Sequence, residues 1–266
     1  MDKESVGRNL EQMRERAPLV HNITNYVVMN TTANALLAVG ASPVMAHAVG
    51  EVEEMVSIAS ALVLNIGTLS RPWIDAMLKA GGRAREGNIP VVFDPVGAGA
   101  TRLRTDTSKR IIDEVGPTVI RGNPSEILAL LQADAKTRGV DSLASSDEAL
   151  DVAEALATEH GCVVSVSGAT DYITDGTVTI AVSNGDPMLA KVTGMGCTAS
   201  ALTGAFIGSN ENAREAAASA MVIMGMAGER AAWNTDGPGS FQVAFLDALH
   251  RIDRKAVRAD ARIESR

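Results

Sequence analysis

Through the first two-thirds of the chain, short apolar runs alternate with longer stretches in which apolar residues recur every three or four positions. A run of four to six apolar residues suits a strand buried on both faces, and the longer period suits a helix with one buried side. The pattern predicts a polar helix over 3–16, ending before Pro18, and a second over 24–39 carried by Val27, Val28, Leu36 and Leu37, with HNITN between them. It then predicts strands at 43–46, 61–66, 90–94, 118–121 and 162–167, with helices at 51–59, 72–85, 106–114, from Ser125, and at 147–160. Repeated strand–helix–strand units imply a parallel sheet, because each return crossover needs a helix.

After Gly168 the rhythm shortens. Residues 172–173 and 178–182 are β-runs joined through Asp175 and Gly176, and Asn184 with Gly185 marks the next turn. Asp-Gly and Asn-Gly are hairpin signals, so the sheet is expected to finish in antiparallel strands. Ala-rich helices follow at 198–208 and 212–233, then a last helix near 241–252 and a charged tail. Met221, Met224 and Met226 read as core filler. No internal repeat or low-complexity linker interrupts the chain, and 1–266 is read as one α/β domain.

Composition narrows the partners. Lys plus Arg total 24 against 32 Asp plus Glu, a net charge of -8, and no basic run is interleaved with aromatics, so nucleic acid is excluded as a partner. Aromatics make up only 3%, which leaves an interior of small aliphatic side chains suited to close helix-on-sheet packing. Cys162 and Cys197 have no CxxC spacing, and the four histidines form no HxxxH pair, so neither a zinc site nor a disulfide framework is indicated. The N-terminal segment is charged throughout and no apolar run reaches membrane-spanning length, which makes a cytoplasmic location the expectation.

The segment KVTGMGCTASALTGAF, residues 191–206, carries the sharpest chemistry. Gly194 and Gly196 allow backbone conformations closed to residues with a Cβ, and unpaired amides opening the following helix suit an anion. Cys197 stands at that positive end, where its thiol pKa is expected to fall. The alternative is an ordinary glycine turn with a buried cysteine. In a parallel sheet, ligands collect beyond the carboxyl ends of the strands, and polar residues cluster there: Asp94 in FDPVGAGA, Arg121 and Glu126 in IRGNPSEI, Ser167 in SVSGATD. Asp94 and Glu126 suit Mg²⁺ held through water, with nucleotide phosphates as further ligands. Equally, Glu126 caps its helix and Asp94 accepts backbone bonds in a turn. Arg121 either neutralises phosphate or forms a surface ion pair, and Thr193 adds a hydroxyl ahead of the glycines. Asn25, Met45 and Gly67 have a different character: an amide and a thioether wall for a small ring, or a helix cap and core packing.

PLVHNITNYVVMNTTANALLAVGASPVMAHA, LVLNIGTL, VFDPVGAGAT, IRGNPSEI and KVTGMGC occur in one order from about Leu19 to Asp247, and with them the chain resembles the hydroxyethylthiazole kinases. These belong to the ribokinase-like superfamily and serve thiamine salvage. The resemblance implies a three-layer α/β/α fold and transfer of the ATP γ-phosphoryl group to the primary alcohol of 4-methyl-5-(2-hydroxyethyl)thiazole. It also implies a homotrimer with active sites at subunit boundaries. By position it makes Cys197 the base on the alcohol, Gly194 to Cys197 the anion hole, and Arg121 and Ser167 the ATP contacts. Asp94 and Glu126 become the organisers of Mg²⁺, and Asn25, Met45, Gly67 and Gly194 line the thiazole pocket. Met195 departs from the family, where a smaller residue is commoner.

The competing readings are a sister kinase for hydroxymethylpyrimidine or pyridoxal, a cysteine-nucleophile hydrolase, and a non-catalytic nucleotide sensor. NITNYV and PVMAHA favour thiazole over the sister substrates, and the hydrolase lacks a recognisable histidine partner. A dinucleotide oxidoreductase is disfavoured, because no GxGxxG follows the first strand.

Overall fold

The computed structural model describes residues 1–132, 148–233 and 235–265. Helix α1 (Lys3–Arg16) starts where the Asp2 carboxylate accepts from the Ser5 amide at 2.8 Å, and it ends at Ala17, left-handed with φ 41°, ahead of Pro18. There follow β1 (Leu19–Ile23), α2 (Met29–Val39), β2 (Ser42–Val44), α3 (Val52–Ile58), β3 (Ala61–Asn65), α4 (Arg71–Glu86) and β4 (Val91–Asp94). Next come α5 (Arg102–Val115), β5 (Val119–Gly122), α6 (Pro124–Gln132), α7 (Leu150–His160), β6 (Val163–Val166), β7 (Asp171–Thr174) and β8 (Thr179–Val182). A 3-10 turn (Pro187–Lys191) leads to α8 (Met195–Ile207), α9 (Ala213–Ala232), α10 (Pro238–Arg251), α11 (Arg254–Asp260) and β9 (Ile263–Ser265).

The strands form a nine-stranded sheet in the order β2-β1-β3-β4-β5-β6-β7-β8-β9. From β2 to β6 the neighbours are parallel, and β7, β8 and β9 join antiparallel. Alternation along each strand sends Val20, Val63, Val92, Val119 and Val163 into one core with α1, α2, α8, α9 and α10. Leu62, Leu64, Phe93, Ile120 and Val164 enter a second core with α3, α4, α5, α6 and α7. The result is the expected three-layer α/β/α arrangement with antiparallel strands at one edge. The hairpin expected at Asp175–Gly176 is present: the Asp175 carboxylate accepts from the Thr177 and Val178 amides at 3.0 Å each, and Gly176 takes φ 86°.

The pattern misled at four places. The apolar pattern predicts no strand at β1, where His21 and Asn22 interrupt the run, yet both are buried in mid-sheet. The helix expected from Thr24 begins only at Met29, since 24–28 turns around the strand end. Helix α8 starts at Met195 rather than Thr198, so Cys197 lies inside its first turn. The charged tail folds into α11 and β9, whose pairing with β8 no local signal announces. Asp147, the expected start of α7, lies outside the described residues.

Candidate active site

Strand order reverses at β1, which has β2 on one side and β3 on the other, and the crevice beyond their carboxyl ends is where such sheets bind ligands. Register opposes Ile23 to Leu64 and Asn65 to Asp94, so the residues that follow meet along one rim. Asn25 Nδ2 donates to Asn65 Oδ1 at 2.8 Å and to Cys197 Sγ at 3.4 Å. Asn65 Nδ2 in turn donates to Asp94 Oδ2 at 2.7 Å, and the Gly67 amide donates to Asn65 Oδ1 at 2.9 Å. Ser200 Oγ, one turn along α8, also donates to Asp94 Oδ2, at 2.8 Å. A carboxylate only accepts, so Asn65 must turn its Nδ2 to Asp94 and its Oδ1 to the two donors; one amide thus fixes the orientation of Asn25.

Helix α8 opens on Gly194, whose φ of 83° is the left-handed conformation that glycine adopts without strain. The first helical bond runs from the Thr198 amide to Gly194 O at 2.8 Å. The amides of Met195, Gly196 and Cys197 precede it and have no acceptor within the helix. Arg121, only 8% exposed, reaches beneath this turn and donates from Nη1 to Gly196 O at 3.1 Å, while its Nε has no partner.

The thiol expectation is overturned. Cys197 is pushed up to about 11, first by burial and then by the charge of Asp94, against the opposing effects of Asn65, Asn25 and Arg121. Removal from water outweighs the helix end. Asp94 itself is pushed up to about 6, chiefly by burial, with Arg121 pulling it down and Glu126 pushing it further up.

On the other side of the α8 turn lies a cavity of about 580 Å³, lined among others by Arg121, Ser167, Asp171, Gly196, Met221 and Met224. Ser167 is held against β5, its amide and hydroxyl donating to Gly122 O at 3.0 and 3.3 Å. Asp171, buried and pushed up to about 6 by that burial, accepts from the Gly168 amide at 2.9 Å. The two methionines placed in the core line this cavity, so one side chain serves packing and lining together.

Glu126 is a cap, as its alternative reading had it. Its Oε2 accepts from the Asn123 amide at 2.8 Å while Asn123 Oδ1 accepts from the Glu126 amide at 2.9 Å, a reciprocal box that starts α6. Its Oε1 accepts from the Gly97 amide at 2.8 Å and ties the β4 turn to that helix. Carboxylate oxygens keep spare lone pairs, so capping does not bar contact with a hydrated ion. Among the described residues no group of three or more His, Cys, Asp or Glu is placed to hold a metal. Any Mg²⁺ here must therefore draw most of its octahedron from phosphate and water, which is its usual habit at phosphoryl sites.

Met45 follows β2 and is half-buried; its neighbour Ala46 is bonded through its carbonyl to His21 Nε2 at 2.7 Å, and no hydrogen bond joins it to the Cys197 group. Thr193 is exposed and does not line the cavity. The remaining predicted residues, Asn25, Gly67, Asp94, Arg121, Glu126, Ser167, Gly194, Gly196 and Cys197, gather along the strand ends and the α8 turn. Sequence reasoning missed Asn65, Ser200, Asp171 and Arg104. Arg104 donates to Ile66 O, Val96 O and Gly67 O at 2.8, 2.5 and 2.7 Å, clamping the β3 and β4 turns together. Only Asn65 carried a signal, a polar residue closing an apolar strand.

Comparison with known proteins fits this geometry. The model of the hydroxyethylthiazole kinase family matches residues 10–255. A hydroxyethylthiazole kinase of Nitratidesulfovibrio vulgaris (strain DP4) is 55% identical over 97% of this chain and 97% of its own length. The structure of a hydroxyethylthiazole kinase protein from Pyrococcus horikoshii OT3 superposes with a TM-score of 0.92 at 47% identity, covering 98% of each chain. The pyridoxal kinase from Staphylococcus aureus, in complex with pyridoxal, superposes with a TM-score of 0.65 at 17% identity over 94% of this chain and 98% of its own, which extends the likeness in fold to the ribokinase-like kinases.

Proposed function

The chain belongs to the hydroxyethylthiazole kinase family, and from that premise we propose that it transfers the γ-phosphoryl group of ATP to the primary hydroxyl of 4-methyl-5-(2-hydroxyethyl)thiazole, for thiamine salvage. The observation that carries the reading is the α8 turn itself. Its free amides stand between a nucleotide-sized cavity containing Arg121 and a thiol–amide group at the β1–β3 crevice. In this reading Arg121, Ser167 and Gly196 bind ATP from the cavity, and Thr193, exposed at the turn before α8 and outside that lining, adds its hydroxyl to the phosphates. Asn25, Met45, Gly67 and Gly194 hold the alcohol, and the whole of 1–266 acts as one kinase domain.

Phosphoryl transfer asks for positioning and charge neutralisation more than covalent help. The α8 amides meet the charge that spreads over the migrating phosphoryl oxygens, and Arg121 neutralises the phosphates from below. Asp94 and Glu126 would hold Mg²⁺ through its water shell, and the ion would supply positive charge against the repulsion of the phosphates. The alcohol oxygen bonds to phosphorus as the bond to the ADP oxygen breaks, and the alcohol proton passes to Cys197. With its pKa at about 11 that residue is a thiol in nearly every molecule at neutral pH, and only the small thiolate fraction takes the proton, so the acceptor is basic but scarce. That suffices for a loose transition state, in which the proton leaves late.

The homotrimer with active sites at subunit boundaries belongs to the same proposal. Tyr26 and Val27, 62% and 63% exposed and directly after Asn25, supply apolar surface beside the acceptor site. A cytoplasmic location is also proposed; among the described residues no helix is long and apolar enough to cross a membrane. The test is incubation with ATP, Mg²⁺ and the thiazole alcohol, with mass analysis of the product, alongside hydroxymethylpyrimidine and pyridoxal. The thiazole phosphate should form with the highest kcat/KM of the three, and its absence would sink the reading.

A further inference from the structure

One wall of the cavity is the stretch between β8 and the 3-10 turn, where Asn184, Gly185, Asp186 and Pro187 all line it. The wall is tied down from outside. Asn184 is 4% exposed and its amide is fully used: Oδ1 accepts from the Arg262 amide at 2.7 Å, and Nδ2 donates to Asp260 O at 3.0 Å and to the Glu229 carboxylate at 3.2 and 3.3 Å. The Ser183 amide donates to Arg262 O at 3.0 Å, and the Arg262 guanidinium donates back to Ser183 O at 2.8 and 3.1 Å. Glu229 Oε1 accepts from the Gly185 amide at 2.7 Å and from Arg262. Behind the wall α9 approaches so closely that a Cβ on Gly225 would fall 2.4 Å from Asn184 O.

Residues 183–186 belong to no helix or strand, so these bonds and the α9 contact set their position. Most of the partners come from the end of the chain, about which local sequence is silent. We propose that the segment formed by α11 and β9 is a positioning strap for the nucleotide: through Asp260 and Arg262 it holds Asn184 and the wall behind the bound base and sugar. A wall free to move must be ordered at each binding event, which weakens affinity without touching the reacting atoms. The inference rests on the nucleotide reading of the cavity.

Two full-length variants test it. Arg262→Pro removes both the guanidinium and the amide that Asn184 Oδ1 needs, after Ala261, whose φ -63° and ψ 134° already suit a residue before proline. Arg262→Ala removes only a half-exposed side chain and keeps the amide. Calorimetric titration with ADP and steady-state kinetics for both substrates supply the readouts. Arg262→Pro should raise the Kd of ADP and the KM of ATP together by about tenfold, the worth of one buried hydrogen bond, and Arg262→Ala by about threefold. In both, kcat should stay within about twofold and the KM of the alcohol should not move. A merely structural role would instead lower kcat and disturb both substrates equally, and that outcome overturns the strap. ADP affinity unchanged in Arg262→Pro overturns it too; should that variant not fold, unchanged affinity in Arg262→Ala does so. An unmutated chain that binds no ADP would overturn the nucleotide reading and the strap together.

Discussion

Replacing Cys197 with aspartate puts an ionised acceptor where the enzyme has a thiol held at about 11. At pH 7.5 such a thiol is ionised in only about one molecule in 3,000. A carboxylate at the same buried position, given a pKa of about 6 like Asp94 and Asp171, is ionised in nearly all of them. The acceptor is then about 10^3.5 more abundant and about five units less basic. With a Brønsted coefficient of about 0.5 the lost basicity costs about 10^2.5, which leaves a gain in kcat of about tenfold at pH 7.5. The thiolate fraction grows tenfold per pH unit, so the advantage should shrink in step and vanish at about pH 8.5. Coupled ADP release at saturating ATP and thiazole alcohol, followed from pH 6.5 to 9.5, measures the ratio. A variant slower than the parent at pH 7.5 with ADP affinity intact, or a ratio that does not change with pH, would refute the reasoning. Cys197→Ala should retain activity while losing about ten- to a hundredfold in kcat, and an unchanged rate would end the base assignment.

Asp171 has a folded pKa near 6 against an ordinary 3.8, so the fold favours its protonated form; that contribution is complete below about pH 4 and is lost as pH rises through 6. Asp171→Asn, which keeps an acceptor for the Gly168 amide, should raise the melting temperature by about 5 °C at pH 7.5 and leave it unchanged at pH 4 in calorimetric scans. Asn65→Leu strands Asn25 Nδ2, the Gly67 amide and one bond of Asp94, and urea titration should register a loss of about 2–4 kcal/mol together with a fall in kcat. Glu126→Gln offers one acceptor oxygen where two backbone amides now bind, at a cost of about 1 kcal/mol. If Glu126 also steadies the hydrated ion, the Mg²⁺ concentration for half-maximal activity should rise about tenfold, and an unmoved Mg²⁺ titration would leave it a helix cap alone.

Periodicity by itself determined the alternating strands and helices, the parallel sheet and the Asp175–Gly176 hairpin, because each is a local preference written into neighbouring residues. Gly194 at the start of α8 and the polar strand ends also announced the site, since a turn that needs φ above zero names its own residue. Tertiary structure decided what no window of sequence holds. His21 and Asn22 are strand residues only because β3 pairs with both and β2 with His21. Asn65 becomes the hinge of the site only through the register that opposes it to Asp94. Cys197 carries a raised pKa because burial and the Asp94 charge, contributed by distant parts of the chain, outweigh the helix end beneath it. The last residues fold because Ser183 and Asn184, far back in the chain, complete their hydrogen bonds. Local propensity can be read along the chain, whereas dielectric, charge proximity and long-range pairing exist only once the chain has closed on itself.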